Sequence, residues 1–197
     1  MTDHFALFNV PRCPWLDSDS LKEKFLVLSS EVHPDRVHSL GEAEKLAANR
    51  RYTELNTAYN CLREPRERLR HLLELELGRK PSDLTNVPDD LMELFFSVGK
   101  GLRESDAFLQ EKGRASSPLL QVQLFERGQD WIEKLSAVRQ TISARREPLV
   151  AELKALKTVW GADAPKPLDR LQDIWRLLSF YDRWLVQIQE RVVQLSF

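Results

Sequence analysis

Apolar residues recur at three- and four-residue steps along almost the whole of this 197-residue chain. No stretch alternates apolar and polar residues in the manner of a half-buried strand. Such spacing puts the apolar side chains of each segment on one face of a helix, so the chain is expected to be all-α. Leu21, Phe25, Leu28 and Val32 form the first clear stripe, and Leu46, Leu55, Tyr59 and Leu62 form the second. Pro34 lies between them. Proline disfavours the helical conformation in the residue before it, so the first of these helices is expected to stop near His33. The loop that follows carries His33, Pro34, Asp35 and Arg36, presenting an imidazole, a rigid ring and a carboxylate together. A short polar loop on two packed helices combines a stiff scaffold with an accessible tip, which suits recognition.

The local signals divide the rest of the chain. Residues 3–10 are expected to form a short helix or turn, with Phe5 and Phe8 locked onto the core. Asp17, Ser18, Asp19 and Ser20 are all N-cap types, and Ser20 with Glu23 has the spacing of a capping box. A helix is predicted over about residues 18–31 with Lys22 and Lys24 on its exposed side. Another is predicted over 41–62, exposing Lys45, Arg50, Arg51 and Glu54. Pro65 fits the first turn of a fourth helix, where its missing N–H costs nothing, and Gly78 with Pro81 behind it ends that helix. Residues 79–88 are polar and turn-rich and read as a linker between a first domain, 1–78, and a second, 89–197. In the second domain a helix is predicted over 89–112, weakened at Gly99 and Gly101 by about 1 kcal/mol each relative to alanine. A long helical pattern over 118–160 is expected to kink or break at Pro148, and a last helix runs from 168 to about 195.

Composition excludes several classes of function. The 42% of hydrophobic residues is enough for a sizeable core. The 30% of charged residues nearly cancel, to a net charge of -1, which argues against binding nucleic acid through global positive charge. Cys13 and Cys61 lie far apart without metal-ligand spacing, and His4, His38 and His71 are scattered and read as surface or capping residues. No metal or cofactor is expected. No apolar run approaches a membrane span and no signal peptide is visible, so a soluble cytoplasmic protein is expected. His33 oriented by Asp35 has the makings of a general base, but no nucleophile, oxyanion donor or second acid accompanies the pair. The chain is not expected to be an enzyme.

The motifs in the first domain resemble those of the J-domain of DnaJ-type co-chaperones. They begin with the entry Phe5-Ala6-Leu7-Phe8-Asn9-Val10 and the tripeptide His33-Pro34-Asp35 between two helices. Leu55-Asn56-Thr57-Ala58-Tyr59 is similar to that family's "Ile-Asn-x-Ala-Tyr". Leu62, Pro65 and Arg68 are similar to its "Leu-x-x-Pro-x-x-Arg". A J-domain followed directly by a small three-helix bundle resembles the HscB type, the co-chaperones of iron–sulfur cluster assembly. Asp90-Leu91-Met92-Glu93-Leu94 and Phe180-Tyr181-Asp182-Arg183-Trp184-Leu185 resemble segments of that bundle.

The resemblance implies an adaptor with two sites. His33, Pro34 and Asp35, with Lys22, Lys24 and Arg36 as electrostatic support, would dock on a DnaK-class (HscA-like) chaperone and stimulate its ATP hydrolysis. The predicted second helix ends Leu26-Val27-Leu28-Ser29-Ser30-Glu31, without the Lys or Arg residues many J-domains carry there. Leu91, Met92, Phe95, Phe96 and Phe180 would form an apolar patch for an IscU-like scaffold protein. Phe95 and Phe96 are consecutive and cannot both point to the centre of one core face, so one of the two is expected at the surface. The alternative is a J-domain interaction protein for another client without an iron–sulfur role. An exposed patch at Met92 and Phe96 separates the two.

Overall fold

The computed structural model describes residues 2–33, 36, 41–81, 87–115, 117–161 and 165–196. Among them the regular structure is helical throughout. The α-helices are α1 (His4–Leu7), α2 (Ser18–Glu31), α3 (Glu42–Arg63), α4 (Pro65–Leu77), α5 (Met92–Gly113), α6 (Pro118–Leu156) and α7 (Leu168–Ser196). Short 3-10 turns at Asp89–Leu91 and Lys157–Val159 adjoin α5 and α6. The chain forms two compact units. One comprises Met1–Pro81 with Val150–Trp175, the other Ser82–Leu149 with Arg176–Phe197. Residues 150–175, expected in a separate bundle domain, therefore pack with the first unit.

In the first unit α3 packs against α1, α2 and α4. Phe5 of α1 and Phe8, which caps its end, are fully buried, as are Leu55, Leu62, Leu69, Leu72 and Leu73. Phe25 of α2 stacks on Tyr59 of α3 with ring centroids 4.4 Å apart. Asp17 rather than Ser20 caps α2, its carboxylate accepting from the Ser20 N–H at 2.9 Å. Because the helix starts two residues before Ser20, that serine sits inside the first turn and cannot act as the cap. Glu44 reaches back to the Gly41 N–H at 3.0 Å to close the start of α3. Leu46, assigned to the buried stripe of α3, is 53% exposed, because it lies in the first turns of α3, ahead of the buried run that starts at Ala48. At the end of α4, Gly78 adopts a left-handed conformation with φ 69°, and its N–H bonds to the Glu74 carbonyl.

Two buried polar groups pin this core. The Arg68 guanidinium, almost fully buried, donates to the carbonyls of Pro14 at 3.0 Å and Leu62 at 2.6 Å. His71 is also buried, against the expectation of a surface or capping residue; it stacks on His4 at 4.3 Å, and its Nε2 accepts from the His4 N–H at 3.1 Å. Its place on the inner face of α4, between Leu69 and Leu72, explains the burial. His38 lies outside the described residues.

The segment 150–175 adds its own contacts to this unit. The Trp160 indole N–H donates to the Arg12 carbonyl. Lys154 and Lys157 lie over the Trp15 ring, 5.3 and 4.8 Å from its centroid. Lys166 pairs with Glu76 at 2.6 Å. Cation–aromatic contacts of this kind leave no trace in hydrophobic periodicity.

The second unit is built on α5 and on parts of α6 and α7. Leu94, Val98 and Phe108 of α5, Leu124, Leu135 and Ile142 of α6, and Leu178, Tyr181, Ile188 and Leu195 of α7 are buried in it. Gly101 lies on the packed side of α5. A Cβ there would stand 3.5 Å from Leu135, at ordinary van der Waals contact, so an alanine would fit the position. Ion pairs join the helices at the rim: Arg191 with Asp106, and Arg146 with Asp182, each at 2.7 Å. Of the kink or break expected at Pro148, the break does not occur: α6 continues through it. The proline and Ala144, whose carbonyl loses its helical partner, are both exposed, so water can satisfy the freed oxygen.

Candidate functional site

The loop after α2 begins at Val32, which caps the helix, and exposes His33. The His33 ring meets Tyr52 of α3 nearly at right angles, 88°, with centroids 6.0 Å apart. Its carbonyl accepts from the Arg36 N–H at 2.9 Å, and Arg36 is exposed. Pro34 and Asp35 lie outside the described residues. Tyr52 was not singled out in the sequence. Its seven-residue spacing from Tyr59, two helical turns on one face, is the signal that marks it.

The cations assigned to this site are unequal. Lys22 is exposed. Lys24 instead donates to the carbonyls of Asn9 at 2.9 Å and Phe8 at 3.4 Å, closing the end of α1. Within α2, Asp19, Glu23 and Glu31 outnumber Lys22 and Lys24. What α2 does expose is apolar: Leu26 is 55% and Val27 60% accessible.

In the second unit the five apolar candidates separate by depth. Leu91 and Phe180 are buried, at 1% and 5% exposure, and support the surface from beneath. Met92 is half-buried. Phe95 and Phe96 are both exposed, at 40% and 62%, where one had been expected. Phe95 reaches the surface at the rim, because its ring leans on Trp184 at 6.4 Å and Phe96 at 5.6 Å without entering the core. Phe180 lies 5.7 Å from the same Trp184, so a chain of aromatic rings runs inward from Phe96. Trp184, four residues after Phe180 on α7, joins the surface rings to the buried one; it lies in the matched segment 180–185 but was not counted with the patch.

Among the described residues no three His, Cys, Asp or Glu side chains stand where they could hold one ion. Burial pushes the Cys61 thiol up to about 11, and burial raises Cys13 as well, so both stay protonated and weakly nucleophilic. Among the described residues no helix is long and apolar enough to cross a membrane.

These features define an all-α protein whose first unit carries an exposed interhelical loop. Comparison with known proteins carries the identification further. No family model matches the chain. It is 42% identical over 72 residues to the co-chaperone protein HscB homolog of Paraburkholderia phymatum, a match that covers 36% of this chain and 41% of that relative. The chain thus matches less than half the length of that relative. Among solved structures it is similar to chaperone HscB from Vibrio cholerae, with a TM-score of 0.67 and 22% identity over 98% of this chain and 99% of that one. Human co-chaperone HscB gives a TM-score of 0.62 at 17% identity, over 96% of this chain and 82% of that one. The fold is that of HscB.

Proposed function

We propose that this chain is a co-chaperone without catalysis of its own, which docks on a DnaK-class, HscA-like chaperone and stimulates its ATP hydrolysis. It delivers an IscU-like scaffold protein held on the second unit. The observation that carries the reading is the exposed His33 at the tip of the α2–α3 hairpin, in a fold that follows HscB over 98% of the chain. Asp35, two residues further along the sequence, offers a carboxylate that a partner arginine can bind through charge-assisted hydrogen bonds, which are strong and directional. Arg36 and Lys22 supply the accessible cations, whose main effect is on encounter rate. For the scaffold, the exposed rings of Phe95 and Phe96 with half-buried Met92 form the contact surface, and Leu91, Phe180 and Trp184 hold it in place. Exposed aromatics over a packed base are the usual anchors of a protein interface. The same exposed patch favours this reading over a J-domain protein for an unrelated client.

The test is steady-state ATP hydrolysis by the cognate DnaK-class chaperone, with this chain or its Asp35→Asn variant, each with and without the IscU-like scaffold. Stimulation that vanishes in the variant and grows with scaffold is expected. Stimulation indifferent to scaffold would leave the docking role and remove the delivery role. No stimulation by the unaltered chain would refute both.

A further inference from the structure

We infer that Arg103 is the polar anchor of the scaffold surface, and that the protein seated there sets an Asp or Glu carboxylate beside its own apolar contact. The inference rests on the delivery role proposed above. Met92, Phe96, Gly99 and Arg103 follow one another along α5 at steps of four, three and four. That spacing puts them in one line on the helix surface. Phe96 and Arg103 are exposed and Met92 is half-buried. The arginine side chain turns toward the rings. A Cβ added at Gly99 would stand 3.5 Å from Arg103 Nη1, so the guanidinium lies back along α5 over residue 99. Helical side chains lean toward the N-terminus in this way. The next turn in that direction carries Phe95 and Phe96, whose rings meet at 68° with centroids 5.6 Å apart. The aromatic surface therefore ends in a cation.

Among the described residues Arg103 has no carboxylate partner, because its neighbours on α5 are committed elsewhere. Asp106, three residues on, is gripped through both oxygens by Arg191 of α7, at 2.7 and 3.4 Å. Glu104 stands 4.0 Å from Lys100. By contrast, Arg127 and Arg146 of α6 are each held by a carboxylate. An exposed guanidinium is solvated, so leaving it unpaired costs little in the free chain. A partner that covered the aromatic surface would strip that water, and only an acceptor of its own would offset the loss. A carboxylate suits best, since the planar fork of the guanidinium meets both of its oxygens. The required charge is a single one. Glu93 and Glu104 are exposed and eleven residues apart, so they run in line along the adjoining face of α5. An extended polyanion such as a nucleic acid would be repelled there, whereas one carboxylate on a folded protein would not.

The test is a binding titration of the IscU-like scaffold against the full chain and its Arg103→Gln, Arg103→Lys and Phe96→Ser variants, each at roughly 0.05 and 0.5 M salt. Arg103→Gln is expected to raise Kd about tenfold at the lower salt, through loss of one charge-assisted pair, and less than about twofold at the higher. Arg103→Lys keeps the charge without the fork and is expected to stay within about threefold of the unaltered chain. Thermal midpoints should match in all the Arg103 variants, because the side chain is exposed. Unchanged binding by Arg103→Gln at low salt, with binding lost in Phe96→Ser, keeps the delivery role and overturns the carboxylate. Tighter binding by Arg103→Gln would put a cation opposite residue 103 and overturns it as well. A loss of equal size at both salts would assign Arg103 to packing and has the same effect. If the scaffold does not bind the unaltered chain, the delivery role itself fails and the inference falls with it. Sedimentation of the chain alone covers the remaining occupant: self-association abolished by Arg103→Gln would seat a second copy on the patch and overturns the proposal.

Discussion

Lys24 donates to the carbonyl oxygen of Asn9 at 2.9 Å, so this cation of α2 closes the end of α1. Asn9 takes a left-handed conformation, φ 48°, which asparagine tolerates better than most residues. With Lys24 held there and the other charges of α2 summing to negative, the proposed docking would draw from this helix chiefly apolar contact, through its exposed Leu26 and Val27. Affinity for the chaperone is therefore expected to fall less than about threefold between roughly 0.05 and 0.2 M salt, since apolar contact is little screened. A binding titration across that range checks it, and a steep fall would return the docking to electrostatics. Lys24→Met should lower stability by about 1 kcal/mol in a denaturant titration, through loss of the α1 contact.

Arg68 binds two backbone carbonyls from inside the core, and burial pulls its guanidinium down to about 10. Arg68→Lys keeps the charge but cannot reach both oxygens at once, because an ammonium lacks the planar fork. A loss of about 3 kcal/mol in unfolding free energy is expected, with one buried acceptor left unsatisfied. Chemical denaturation of the two proteins reads it directly, and a difference below about 1 kcal/mol would show that the carbonyls find other partners.

Burial first, and the neighbouring His4 second, push His71 down to about 4, and burial lowers His4 as well. Between that value and the ordinary histidine range of about 6.5 the unfolded chain binds more protons than the folded one. This contribution to stability is thus complete above about pH 6.5 and is lost as the pH falls toward 4. Protonation also converts the Nε2 that accepts from the His4 N–H into a donor. The unfolding midpoint of the unaltered chain should decline over this window more steeply than that of His71→Gln. Parallel slopes would place the titration on the carboxylates instead.

Phe96 and Phe180 were expected to act together, and their burial predicts opposite consequences. Phe96→Ser, at a residue 62% exposed, should change stability by less than about 0.5 kcal/mol while weakening capture of the scaffold. Phe180→Ala, at 5% exposure against Trp184, should cost about 3 kcal/mol or more. Paired thermal melts and scaffold pull-down of the two variants separate surface from support. Equal loss of scaffold binding at full stability in both would put Phe180 at the interface.

Periodicity and motif spacing revealed the helices, the burial of Phe5 and Phe8, the start at Pro65 and the stop at Gly78, because each depends on residues close in sequence. Ser20 and Asp17 are equally good caps on paper, and only the start of α2 decides between them. Polarity misled for His71, since a neutral imidazole with a backbone donor within reach is at home in a core. The placement of residues 150–175 was invisible because it depends on Trp15, Arg12 and Glu76 meeting Lys154, Lys157, Trp160 and Lys166 across long sequence separations. At the candidate site, motif matching found His33 but not Tyr52, and the capture of Lys24 by α1 had no signature in α2 itself.

The two units interleave along the chain, which passes from one to the other after residues 81, 149 and 175. A fragment ending near residue 81 would contain the whole hairpin and every J-domain motif, yet it would strip the lysines from Trp15 and take the Trp160 indole from the Arg12 carbonyl. No single proteolytic cut releases either half intact. Excision of one unit for separate study must instead rejoin the ends left by the excluded part.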